Sequence, residues 1–137
     1  IRYNDIAVQE NYHVAESFAI LKQKEFNFLE ALNNDEFKTF RKRMVGMILA
    51  TDMARHVTDL GTFKSIMEFR EIRAGKNIDR VIDYSSTAKE FDSKQQLIEI
   101  CLHAADVSTQ TRPFEVAKEW SYLLFEEFFE QGDLEKH

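Results

Sequence analysis

The apolar positions of this chain recur mostly at the three- and four-residue spacing of helices. Phe18, Leu21 and the Phe26-Phe28-Leu29-Leu32 group fall at that spacing. Asn33-Asn34-Asp35 then offers an N-cap for a helix through Phe37, Phe40, Met44, Met47 and Ile48. The pattern resumes through Met53, Val57, Leu60, Phe63, Ile66, Met67 and Phe69, and Gly75 is placed to end it. Between Gly75 and Asp92 the period is lost and polar residues cluster, which predicts a loop holding one short turn. Asp92 or Ser93 can cap a further helix carrying Leu97, Ile98, Cys101, Leu102 and Ala105. Thr109 to Arg112 should break it, because Arg112 precedes a proline and is biased away from helical dihedrals. Pro113 itself can occupy the first turn of a last helix through Val116, Trp120, Leu123, Leu124, Phe128 and Phe129. The pattern as a whole predicts an all-α, multi-helix bundle with no internal repeat.

Composition narrows the class. A chain of 137 residues fits one domain and can bury roughly two-thirds of its unfolded surface. One Pro, four Gly, 44% hydrophobic residues and twelve Phe suit a compact helical protein and not a disordered chain. The formal net charge of −6 argues against a general nucleic-acid binder, which needs a basic face. The basic runs Arg41-Lys42-Arg43 and Arg70 to Arg73 are short and interrupted by apolar residues, so a solvated helix face accounts for them. Cys101 is the one cysteine, which rules out an intramolecular disulfide and suits a reducing, cytoplasmic compartment. No apolar run approaches the ~20 residues of a membrane span. Any membrane association would come through regions outside this chain.

Some polar residues stand where helix building alone does not require them. Asp106 is an acid among small and apolar residues at a predicted helix end, where a short carboxylate can enter a cavity and offer a hard oxygen to a divalent cation. A turn former or ion-pair partner is the alternative for it. His103, one turn earlier, reads best as a packed or hydrogen-bonded core histidine. Glu10 and His13 form an i, i+3 pair on one helical face, a spacing that is weak as a signal taken alone. Thr51 and Asp52 interrupt a strongly apolar helix, which is easiest to understand if they line a wet cavity; a capped helix junction is the alternative, and both can hold together. Trp120, Leu124, Phe125 and Phe128 share roughly one helical face and read as core.

Three segments carry a resemblance to a known family. Cys101-Leu102-His103-Ala104-Ala105-Asp106-Val107-Ser108, followed by Trp120, Glu126-Glu127-Phe128-Phe129 and Gln131-Gly132-Asp133, closely resembles class I 3′,5′-cyclic nucleotide phosphodiesterases. Tyr3-Asn4-Asp5 through Glu10-Asn11-Tyr12-His13 is similar to the family's Tyr-Asn-Asp…Glu-Asn-His-His segment, with Tyr12 in place of the first His. Thr51-Asp52-Met53-Ala54-Arg55-His56 is similar to its Thr-Asp-Met…His segment. All three occur in the family's order.

The resemblance implies an HD-type catalytic domain that hydrolyses cAMP or cGMP to the 5′-monophosphate. Two divalent ions, zinc with magnesium or manganese, would activate a bridging hydroxide, with Asp106 among their ligands. Glu10, His13, Thr51 and Asp52 would line the metal and phosphate pocket, all converging on one cavity with Asp106. Met53, Thr109, Trp120, Leu124, Phe125 and Phe128 would lie along the nucleotide site. Thr109 stands where many members have Asn, so the choice between cAMP and cGMP stays open. The family's His-Asn-x-x-His and His-Asp elements are absent, and so is the Gln that grips the base. The chain therefore reads as part of a longer catalytic domain, 1–137 of it, whose remainder is its expected partner beside the cyclic nucleotide. A homodimer is compatible with this, and alone the chain should be inactive and hold no metal pair stably. A non-catalytic helical module serving as an interaction scaffold is the alternative.

Overall fold

The computed structural model describes residues 2–74 and 88–136. Among them five α-helices run in order: α1 Val8–Leu21, α2 Asn34–Leu49, α3 His56–Ala74, α4 Ala88–Asp106 and α5 Phe114–Glu135. The described residues contain no strand, and the fold is all-α. The predicted end of α3 at Gly75, and most of the predicted loop after it, lie outside the described residues. The chain divides into two compact units, Ile1–His103 and Ala104–His137.

In the first unit, α1 follows a left-handed stretch. Asn4, Asp5 and Ala7 have φ of 54°, 58° and 45°. Asn and Asp tolerate this region, whereas the Cβ of Ala7 makes it costly there. The Asn11 side-chain amide offsets that cost by donating to the carbonyls of Ile6 and Ala7 at 3.0 and 3.1 Å.

The apolar group Phe26 to Leu32 forms turns and not a helix. The Asn27 carboxamide oxygen accepts from the Leu29 amide at 3.1 Å, a local bond that competes with the helical ladder. Leu29 is buried all the same. Asn33 caps α2 as the sequence predicts, in a reciprocal box: its side chain accepts from Asp35 and Glu36 amides at 3.0 Å. Glu36 returns a bond to the Asn33 amide at 2.9 Å. α2 packs on α1, where Phe18 is buried and the Arg41 guanidinium stands 4.6 Å above its ring.

Thr51 and Asp52 form the junction between α2 and a 3-10 turn, Met53–Arg55, that leads into α3. α4 begins at Ala88, so Asp92 and Ser93 lie inside this helix and do not cap it. Near Gly46 it comes close to α2, and the Gln95 amide donates to the Arg43 carbonyl at 3.2 Å.

The second unit holds the last turn of α4, a 3-10 turn Val107–Thr111, and α5. Arg112 is extended at φ −78°, ψ 162°, as the residue before a proline must be biased. Pro113 is the N-cap of α5, with ψ 141°, and so stands just outside the helix instead of in its first turn. None of the described residues of this unit is buried, and Trp120, Phe125 and Phe128 are 60%, 55% and 55% exposed. The core reading of that face is therefore wrong for the described residues: one helix and a short turn offer nothing to bury it against.

Candidate functional site

Glu10 and His13 lie on α1, with Glu10 half-buried and His13 exposed beside the Tyr12 ring. Thr51 and Asp52, both half-buried, have local structural tasks. The Thr51 hydroxyl donates to the Ile48 carbonyl at 2.8 Å, closing the end of α2. The Asp52 carboxylate accepts from the Ala54 amide at 2.9 Å and caps the 3-10 turn. The capping reading of these two residues is thus realised. Met53 follows on the same turn and is exposed.

The described residues of the first unit form several cavities. Of its cavities, one of 60 Å³ is lined in part by Ala50, Arg55, Asp59, Glu99 and His103. A second runs between α1 and α2, and a third lies at the start of α2. Glu10, His13, Thr51 and Asp52 line none of these three.

In the second unit, Asp106 is the last residue of α4 and is exposed. Its carboxylate makes no capping bond to the 3-10 turn that follows, so the turn-forming alternative does not occupy it. Thr109 is half-buried in that turn, its carbonyl accepting from the Arg112 amide at 3.1 Å. Trp120, Leu124 and Phe128 follow at helical spacing on α5 and are open to solvent, as is Phe125, whose ring centroid is 6.5 Å from that of Phe129.

Among the described residues no group of three or more His, Cys, Asp or Glu is placed to hold a metal ion. The Asp106 carboxylate is a hard oxygen donor of the kind divalent cations take. No helix of the described residues is long and apolar enough to cross a membrane.

Sequence reasoning missed one feature. His103 is only 4% exposed, as expected of a hydrogen-bonded core histidine, but its partner is His56, 47 residues away. The Nδ1 of His56 and the Nε2 of His103 are 2.6 Å apart. Each residue stands in one of the motif segments, which was the available signal; nothing in their spacing announces the pairing.

The sequence model of the family described as 3′5′-cyclic nucleotide phosphodiesterase matches residues 1–137. Among curated proteins, the chain is 35% identical over 136 residues to a probable 3′,5′-cyclic-AMP phosphodiesterase, pde-4, of Caenorhabditis elegans. It is 40% identical over 136 residues to the human high affinity cGMP-specific 3′,5′-cyclic phosphodiesterase 9A. These alignments cover 99% of the chain but 19% and 20% of the relatives, so the chain spans about a fifth of their length. Among solved structures, it is similar to the phosphodiesterase domain of the rhodopsin phosphodiesterase fusion protein from the choanoflagellate Salpingoeca rosetta. That likeness has a TM-score of 0.78 and 36% identity, and covers 98% of this chain and 38% of the other. With every residue matched by one family model, and identities above a third over nearly its whole length, this chain belongs to the 3′5′-cyclic nucleotide phosphodiesterase family.

Proposed function

We propose that this chain is part of the catalytic domain of an enzyme that hydrolyses a 3′,5′-cyclic nucleotide to its 5′-monophosphate. The observation that carries the reading is the family match over residues 1–137, with relatives named for cAMP and for cGMP. Asp106 is the residue of this chain assigned to divalent metal, supported by an exposed carboxylate at a helix end with no capping task. Bound divalent ions would supply Lewis acidity at the phosphoryl group. The chain's own share is to hold an oxygen donor at Asp106 and to place Glu10, His13, Thr51 and Asp52 toward the phosphate. Trp120, Leu124, Phe125 and Phe128, with Met53 and Thr109, would form an apolar wall for the base. Their exposure here accords with a face that the remainder of the domain covers.

The test is hydrolysis of cAMP and cGMP by the full-length protein carrying this chain, with magnesium or manganese and then with chelator. Chelator-sensitive turnover is expected, and Asp106→Ala should abolish it while the circular dichroism spectrum is kept. The 137-residue chain alone should show no turnover, because Asp106 by itself cannot hold a metal pair. An Asp106→Ala enzyme with normal turnover removes Asp106 from the mechanism. A full-length protein without turnover favours the scaffold alternative.

A further inference from the structure

The cleft between α1 and α2 holds 790 Å³, within the roughly 300–1,000 Å³ of sites that enclose a small organic ligand. Its apolar wall comes from Phe18, Leu21, Leu29 and Phe37. Phe18 and Leu29 are buried, so the wall is part of the folded core of this unit. The charged lining is of one sign. Lys22 and Arg41 stand there with no acid beside them, in a chain with 24 acidic residues against 18 lysines and arginines. Neither cation has an ion pair among the described residues. The other polar residues of the lining, Asn11 and Asn27, are uncharged and already bonded to nearby backbone. The Arg41 guanidinium lies 4.6 Å above the centroid of the Phe18 ring, and no described residue accepts from its N–H groups. Their planar fork matches the two oxygens of a carboxylate.

We propose that this cleft binds a long-chain carboxylate, its head held by Arg41 and Lys22 and its aliphatic tail laid along Phe18, Leu21, Leu29 and Phe37. Charge and polarity together select that occupant. An inorganic anion would leave the apolar wall in water, and a neutral lipid would leave both cations without a counter-charge. A nucleotide would press its polar sugar and base edges against a wall with nothing to satisfy them. Lys22 is the C-cap of α1 and Arg41 lies in α2, so one bound head group ties the two helices together. Glu10, His13, Thr51 and Asp52 do not line this cleft, and the proposal does not rest on the hydrolytic reading given above.

The experiment uses the full-length protein and sodium oleate below its micelle concentration. Isothermal titration calorimetry should show saturable binding, and thermal unfolding should move upward with oleate concentration. Laurate, with a shorter tail, and oleyl alcohol, with no charge, should each bind at least about 10-fold more weakly. Inorganic phosphate and cAMP should not displace oleate. Arg41→Gln keeps a donor but loses the charge and the fork, and should weaken oleate binding at least about 10-fold. Ala15→Phe sets a ring into the cleft from α1, leaves both cations in place and should weaken it as much. The methyl resonances of Leu21 and Leu29 should shift when oleate binds the unsubstituted protein. Binding is read without turnover, so an inactive enzyme leaves the test intact. Absence of saturable binding overturns the proposal in favour of a cleft covered by the rest of the protein or by a second copy. Unchanged affinity in either folded variant overturns it in favour of adsorption elsewhere. Displacement by phosphate or cAMP makes the cleft a plain anion or nucleotide site and also overturns it. If neither variant folds, the Leu21 and Leu29 resonances decide, and their failure to shift overturns it.

Discussion

Two glycines in helix interiors offer a paired test of how α2 meets α4. In an unobstructed helix, Gly→Ala gains about 1 kcal/mol through backbone entropy and helix propensity. Gly61 of α3 is such a case, with nothing within 4 Å of the position a Cβ would take. Gly46 of α2 is not. A Cβ there would stand 2.5 Å from the Gln95 amide nitrogen and 2.6 Å from a Glu99 carboxylate oxygen. Both are ends of flexible side chains and can move, but moving them disturbs the bond from Gln95 to the Arg43 carbonyl at 3.2 Å and the Gln95–Glu99 bond at 2.8 Å. Each is worth about 0.5–1.5 kcal/mol net, somewhat more where a carboxylate accepts. Subtracting the propensity gain leaves Gly46→Ala about 1 kcal/mol less stable, against a gain of about 0.5–1 kcal/mol for Gly61→Ala. The two variants should therefore differ by roughly 2 kcal/mol, or about 5–8 °C in Tm for a chain of this size. Urea and thermal unfolding followed by circular dichroism measure it. A Gly46→Ala protein stabilised as much as Gly61→Ala would refute the close approach of α4 to α2.

Asn33→Ala removes both halves of the capping box of α2 and should cost about 1 kcal/mol in urea unfolding, with Asn33→Asp recovering most of it. Ala7→Gly relieves a left-handed backbone of about 1–2 kcal/mol, less what glycine loses in entropy, so a net gain of about 0.5 kcal/mol is expected from the same measurement. Trp120→Ala in the 137-residue chain should cost about 1 kcal/mol and not the roughly 3–5 of a core aromatic, because most of the ring is already solvated. A larger loss in its unfolding curve would mean that the ring is packed in solution.

Helix-period signals were legible wherever local chemistry agreed with them. The cap at Asn33, the break before Pro113 and the all-α class follow from residues within a few positions of one another. The turns at Phe26 to Leu32 were not legible, because their apolar spacing matches a helix while the Asn27 side chain bonds the Leu29 amide instead. The start of α4 at Ala88 was likewise obscured by polar residues that resemble a cap at Asp92 and Ser93. Pairings across the chain leave no periodic trace at all. The Gln95 bond to the Arg43 carbonyl spans 52 residues and the His56–His103 bond spans 47, and each depends on how helices cross and not on what surrounds either residue in sequence.

That distinction bears on which acidic residue can be interrogated cleanly. Asp52 stands in a motif segment, yet its carboxylate already accepts from the Ala54 amide and shapes the turn that leads into α3. Asp52→Ala would lose that cap, at about 1 kcal/mol, together with any part the carboxylate plays at a phosphate, and activity alone would not separate the two. Thr51 has the same ambiguity through its bond to Ile48. Asp106 ends its helix without a capping bond and lies exposed, so its replacement removes a charge and little structure. A loss of metal binding on Asp106→Ala, with the unfolding curve unmoved, would therefore report on chemistry. The same loss on Asp52→Ala would carry that meaning only after Asp52→Asn, which keeps a capping oxygen but not the charge, had been measured beside it.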